Sequence, residues 1–231
     1  MIKIQEVYYE SEGKSILKDI SLEIKQGEFL AIVGPNGSGK TTLIKHLNGI
    51  LSPTKGKVEV DGLDTCERAR DIMKKVGIVF QNPDDQIINS IVEEDVAFGL
   101  ENMKVSTGKI QEKVDGMLSK IGISELAKEN VNNLSFGQKQ LVALAGILVM
   151  EPKHIVFDEP FSWLDPKNKG RIKKIMESLN KAGTTIIMVT NNLTDISSDR
   201  VVLLHKGRKA FDGEKSSLTK DILRKAEMDE L

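Results

Sequence analysis

The sequence predicts an α/β domain: a mostly parallel sheet, antiparallel strands at its N-terminal end, and a helical subdomain inserted between strands. Three features predict it. Short apolar runs of strand length recur along the chain, and helical periodicity separates the later ones. One run, residues 29–33, ends in a glycine-rich turn that opens a helix. From about residue 90 to 150, apolar residues fall at three- and four-residue spacing, as at Met117, Leu118 and Ile121, so strands give way to helices.

The elements follow in order. Residues 3–9 alternate polar and apolar side chains, and residues 20–24 repeat the pattern, giving two strands. Gly27 punctuates before the third strand, and a helix starts near Lys40. Pro53 and Gly56 mark a loop; residues 58–60 and 76–80 read as further strands. Beyond the helical subdomain come a buried strand at 154–157, a helix at 169–180 and strands at 184–189 and 201–204. The segment from about 212 to 231 reads as a tail, helical and mostly solvated over 216–231. One domain spans residues 1–231, without internal repeat or long linker.

Composition narrows the function. Hydrophobic residues make up 39% and charged residues 29%, an ordinary soluble balance. A formal net charge of -1 offers no basic field, so nucleic acid is not an expected partner. Cys66 is the one cysteine, which excludes an internal disulfide and a CxxC metal site. Residues 1–9 lack the apolar core of a signal peptide. The longest apolar stretch, 141–150, is far short of the roughly 20 residues that cross a membrane. The expectation is a soluble, cytosolic chain that reaches a membrane only through a partner.

Gly34-Pro35-Asn36-Gly37-Ser38-Gly39-Lys40-Thr41 fits the phosphate-loop pattern G-x-x-x-x-G-K-[ST]. Glycines let the backbone curl so that successive N–H groups point at phosphate oxygens, and the helix that follows adds its positive end. Lys40 is the point charge for the outer phosphates, and the Thr41 hydroxyl is a Mg²⁺ ligand. Thr42 belongs to the same ATP-binding group. The strand Ile155-Val156-Phe157 ends in Asp158 and Glu159. Ligands bind at the carboxyl ends of parallel strands, which places Asp158 to hold Mg²⁺ and Glu159 to act as general base toward water.

With these residues in place, the chain resembles the ATP-binding-cassette (ABC) family of P-loop NTPases over nearly its whole length. Leu134-Ser135-Phe136-Gly137-Gln138 resembles the family signature and opens a helix at 138–150. The resemblance implies that Ser135, Gly137 and Gln138 touch the γ-phosphate bound on a second ATPase subunit, so the catalytic unit is a dimer with two composite sites. Gln81 resembles the family's glutamine that contacts Mg²⁺ and water and senses a membrane subunit. Ser162-Trp163-Leu164-Asp165 resembles the loop that puts Asp165 at the dimer seam. A narrower similarity lies in Phe80-Gln81-Asn82-Pro83-Asp84-Asp85-Gln86 and in Val92-Glu93-Glu94-Asp95-Val96-Ala97-Phe98-Gly99. These resemble ATPases of energy-coupling factor (ECF) transporters, which implies uptake of a vitamin or of cobalt or nickel ions, at the cytoplasmic side of the cell membrane.

Three residues depart from the family. Asn191 stands where a histidine is usual; its amide donates a hydrogen bond but cannot become cationic or relay a proton. The aromatic residue that stacks on adenine falls, by spacing, on Ser11, with Tyr9 or Tyr8 as substitutes or as plain strand residues. Phe136 replaces the first signature glycine. Either a homodimer or an asymmetric heterodimer, with the Asn191 site the slow one, fits this pattern. A regulatory nucleotide-binding subunit, an ABC-type repair or translation ATPase and a small P-loop kinase are the competing classes. The repair and translation ATPases usually carry coiled-coil insertions, zinc cysteines or paired cassettes, none of which occurs here, and a kinase has no use for the signature.

Overall fold

The computed structural model describes residues 1–228. Two sheets organise it. The smaller is antiparallel, with β1 (Ile2–Ser11) paired to both β2 (Lys14–Ile24) and β4 (Lys55–Val60), and the two-residue β5 (Leu63–Asp64) at its edge. In the larger sheet, β6 (Val76–Val79), β7 (His154–Asp158), β8 (Thr185–Thr190), β3 (Phe29–Val33) and β9 (Arg200–His205) run parallel in that spatial order. Antiparallel β10 (Arg208–Glu214) closes the edge beside β9.

The central strands are apolar throughout because both faces are covered. Successive side chains point to opposite faces, so Leu30 and Ile32 join one core while Ala31 and Val33 join the other. The first core also takes α1 (Lys40–Leu47) and the antiparallel sheet. The second takes the helical subdomain: α3 (Val92–Asn102), α4 (Thr107–Ile121) and α5 (Phe136–Leu148). Between β4 and β6 lies the short α2 (Ala69–Met73), and α6 (Pro166–Lys181) connects β7 to β8.

Local chemistry marks the helix ends. At α5, Ser135 and Gln138 form a reciprocal capping box. At α6, Pro166 occupies the first turn and Asp165 accepts from the N–H groups of Lys167 and Asn168 at 2.9 and 3.0 Å. At α4, Gly122 ends the helix in the left-handed conformation, and Arg171 of α6 donates to the carbonyls of Ile121 and Gly122. Arg171 thus ties the sheet-covering helix to the helical subdomain.

The tail departs from expectation. Residues 212–214 belong to β10, which the sequence hides because its polar, exposed residues carry no apolar run. The helix that follows, α7 (Lys220–Lys225), is shorter than expected; the segment is mostly solvated, but Leu223, Ala226 and Met228 anchor it in the second core, and the Ala226 carbonyl accepts from His205 Nδ1 at 2.9 Å. The remainder of the expected helix, Asp229, Glu230 and Leu231, lies outside the described residues.

Candidate functional site: a phosphate cleft and a separate signature cleft

β3 delivers the chain into the loop before α1. Gly37 and Gly39 take φ of 77° and 101°, values that side chains resist, and at Gly39 a Cβ would lie 2.8 Å from Leu17 Cδ2. Gly34 passes so close to the Leu204 carbonyl that no Cβ fits there. No side chain caps α1, so its first N–H groups are free for an anion. The Lys40 ammonium meanwhile donates to the carbonyls of Gly34 and Pro35 at 2.7 and 3.1 Å, and Ser38 Oγ is buried without a partner.

The loop floors a cleft of about 550 Å³, within the roughly 300–1,000 Å³ of small-molecule sites. Asn36, Gly37, Gly39, Lys40, Thr41 and Thr42 line it from the loop and α1; Gln81, Glu159 and Asn191 enter from the ends of β6, β7 and β8. Parallel strands in one sheet bring these distant residues to one edge. Ile16, at the start of β2, also lines the cleft. It carries no motif, and only the packing of β2 over Gly39 reveals it.

Asp158 and Glu159 differ in what they face. Asp158 Oδ2 accepts from the Thr41 hydroxyl at 2.9 Å, while its Oδ1 is buried with no partner. Burial raises the Asp158 carboxyl above the usual range, against the Thr41 hydrogen bond and Lys40. A hydroxyl beside an orphaned carboxylate oxygen suits a hard cation such as Mg²⁺. Among the described residues there is no cluster of three or more histidine, cysteine or carboxylate side chains.

Glu159 sits in left-handed backbone, φ 47°, with its N–H on the Val189 carbonyl at 2.9 Å. Burial raises its carboxyl, and nearby Asp158 adds to this; Lys40, the Thr190 side chain and the Asn191 N–H oppose it. Lys40 is shifted down by burial, against both acids. Glu159 and Lys40 line the same cleft, and burial pushes each toward its neutral form. The Asn191 side-chain amide donates to Asn36 Oδ1 at 3.4 Å.

Ser135, Gln138 and Asp165 lie elsewhere. They line a second cleft, together with Asn168 and Arg171, between α5 and α6. Gly137 is packed there against Asn168, whose Nδ2 would lie 2.5 Å from an added Cβ. Phe136 meets the Trp163 ring edge-on at 5.5 Å, and Trp163 is 72% exposed. Tyr9 lines neither cleft. Its ring packs edge-on 4.9 Å from His46, at the last turn of α1, as a strand residue of the first core.

A family model described as ABC transporter matches residues 17–162. The energy-coupling factor transporter ATP-binding protein EcfA1 of Clostridium perfringens is 44% identical over 223 residues, covering 92% of this chain and 79% of that protein. The cobalt import ATP-binding protein CbiO of Syntrophus aciditrophicus is 41% identical over 217 residues, covering 92% and 78%. The structure of cbiO1 from Clostridium perfringens, described as part of the ABC transporter complex cbiONQ, superposes with a TM-score of 0.84 at 38% identity over 97% and 93% of the two chains. A dimeric ATP-binding cassette in a post-hydrolysis state, bound to ADP and Pi, superposes with a TM-score of 0.83 at 28% identity over 93% and 98%.

Proposed function

We infer how the two clefts work from one premise: the chain belongs to the ABC transporter family and is an ATP-hydrolysing subunit that energises uptake by a transporter of the ECF type. The phosphate loop binds ATP through its backbone N–H groups and Lys40, with Thr42 beside it. Thr41 and Asp158 would hold Mg²⁺, with Gln81 entering the same cleft from the end of β6. Mg²⁺, when bound, neutralises charge on the outer phosphates. Glu159 accepts a proton from the attacking water; the water oxygen bonds the γ-phosphorus, the bridge to ADP breaks, and phosphate leaves. Asn191, through Asn36, holds the loop in register beside Glu159 in the cleft. Ile16, not Tyr9, is the apolar contact available to the nucleoside.

The observation that carries the assembly is the separation of the two clefts. Ser135 and Gln138 line no part of this chain's phosphate cleft, so they contact phosphate only on a second ATPase subunit, with Asp165 beside them at the seam. The dimeric relative makes such pairing sterically natural for the fold. The dimer works against integral membrane subunits on the cytoplasmic face, and the solute is a vitamin or a cobalt or nickel ion. Among the described residues no helix is long and apolar enough to cross a membrane.

ATP hydrolysis by the purified chain, beside Glu159→Gln and Asn191→His, tests this. Turnover that Glu159→Gln abolishes, with ATP binding retained, is the expected result. An Asn191→His change of less than about threefold marks Asn191 as a working substitute. An inert native chain that Asn191→His activates instead makes this the slow half of an asymmetric pair.

A further inference from the structure

We propose that Gln140 and Gln86 are positioning residues that couple Gln81 to the signature helix, so that contacts at Ser135 and Gly137 are felt in this chain's own phosphate cleft. This deepens, and rests on, the proposed role of Gln81. Phe80 is the residue before Gln81, and its peptide groups are held on both sides. Its N–H donates to Gln86 Oε1 at 3.1 Å, and its carbonyl accepts from Gln140 Nε2 at 3.2 Å. Gln140 lies on α5, and Gln86 reaches the same helix by donating to the Ala143 carbonyl at 3.4 Å. A third tie joins Lys139 of α5 to Asp84 at 2.6 Å.

Gln140 is 1% exposed, and its Oε1 is buried without a partner. A buried amide with one unmet oxygen is a net cost that an apolar side chain of similar length avoids. What the amide adds is its hold on the peptide that leads into Gln81. One rigid helix therefore carries the partner-facing Ser135 and Gly137 at its first turn and the grip on Phe80 in the turn that follows. A shift of α5 on engaging the partner's nucleotide moves Gln81 as well. Two sites on opposite subunits then share one coupling free energy.

The test is a double-mutant cycle on the full chain: Gln140→Met, Gln81→Ala and both together, with Gln86→Leu in place of Gln140→Met as a second, half-buried probe. Melting temperature, kcat, KM for ATP and the Mg²⁺ concentration that half-saturates ATP binding are read for each. The expected result is a fall in kcat of about tenfold and a higher Mg²⁺ midpoint for Gln140→Met, with KM changed less than about twofold. In the Gln81→Ala background the same substitution is silent. Equal losses in both backgrounds, or no change in the Mg²⁺ midpoint of either probe, overturn the proposal. A wild-type chain without turnover counts against the proposed function, while the Mg²⁺ midpoints of ATP binding still decide the coupling.

Discussion

Buried polar atoms decide how single residues behave here. His46 is fully buried on α1, and its Nδ1 lies 2.8 Å from the Thr42 carbonyl. A carbonyl only accepts, so Nδ1 carries the proton and Nε2 is bare, buried and unpartnered. Burial lowers the His46 pKa, against its hydrogen bond to the Thr42 carbonyl. The unfolded chain protonates this histidine near pH 6.5. The stability it contributes is therefore fully present above that pH and is lost as pH falls through it, by at most about 1.4 kcal/mol per unit. Denaturation followed from pH 7.5 to 5.5 should show a shallower loss for His46→Gln. An unchanged slope would mean that the buried ring is protonated in the fold. The same logic explains why Tyr9 was ambiguous in the sequence. A strand residue shows its spacing but not its partner, and the partner here is His46, 37 positions on by subtraction of the residue numbers.

At the scale of elements, two helices carry predictions. At the start of α5, Gly137 leaves no room for a Cβ because Asn168 is held there by its bond to Asp165 Oδ2 at 2.6 Å. Gly137→Ala should lower the melting temperature and the ATPase rate, and Asn168→Ala in the same chain should restore the melting temperature. Failure of that rescue would place the clash elsewhere. In α7, Leu223 is 2% exposed. Leu223→Ala should cost about 2–5 kcal/mol in urea denaturation, as for other buried leucines; unchanged stability would mean that Leu223 does not anchor the tail. The central strands and the helical subdomain were legible because burial on one or both faces writes a period into the sequence. The exposed β10 and the two-residue β5 write none.

For the whole molecule, the two clefts are the organising fact. A single chain keeps its signature residues away from its own phosphate loop, so activity on this reading requires closure of a second subunit over Trp163 and Phe136. Trp163 is the one tryptophan, and at 72% exposure with φ 60° it is a strained, solvated aromatic. Saturating ATP–Mg²⁺ added to the Glu159→Gln chain should shift its fluorescence to shorter wavelength as water is excluded. Lys40→Ala should remove the response. A spectrum that ignores nucleotide while ATP is bound would count against closure at this face.

By itself the sequence determined the chemistry that lies in consecutive residues. The glycine-rich loop and the Ser135–Gln138 cap are built from atoms a few residues apart, so their spacing is their geometry. Tertiary structure alone decided which of these meet. Sheet order brought Gln81, Glu159 and Asn191 to one edge and sent Tyr9 to the core and Ile16 to the cleft, and packing anchored the tail through Leu223. It also placed Gln140 on the peptide of Phe80, 60 residues away. Contacts at that range depend on strand register and on which face each helix buries, and no local pattern of side chains encodes either.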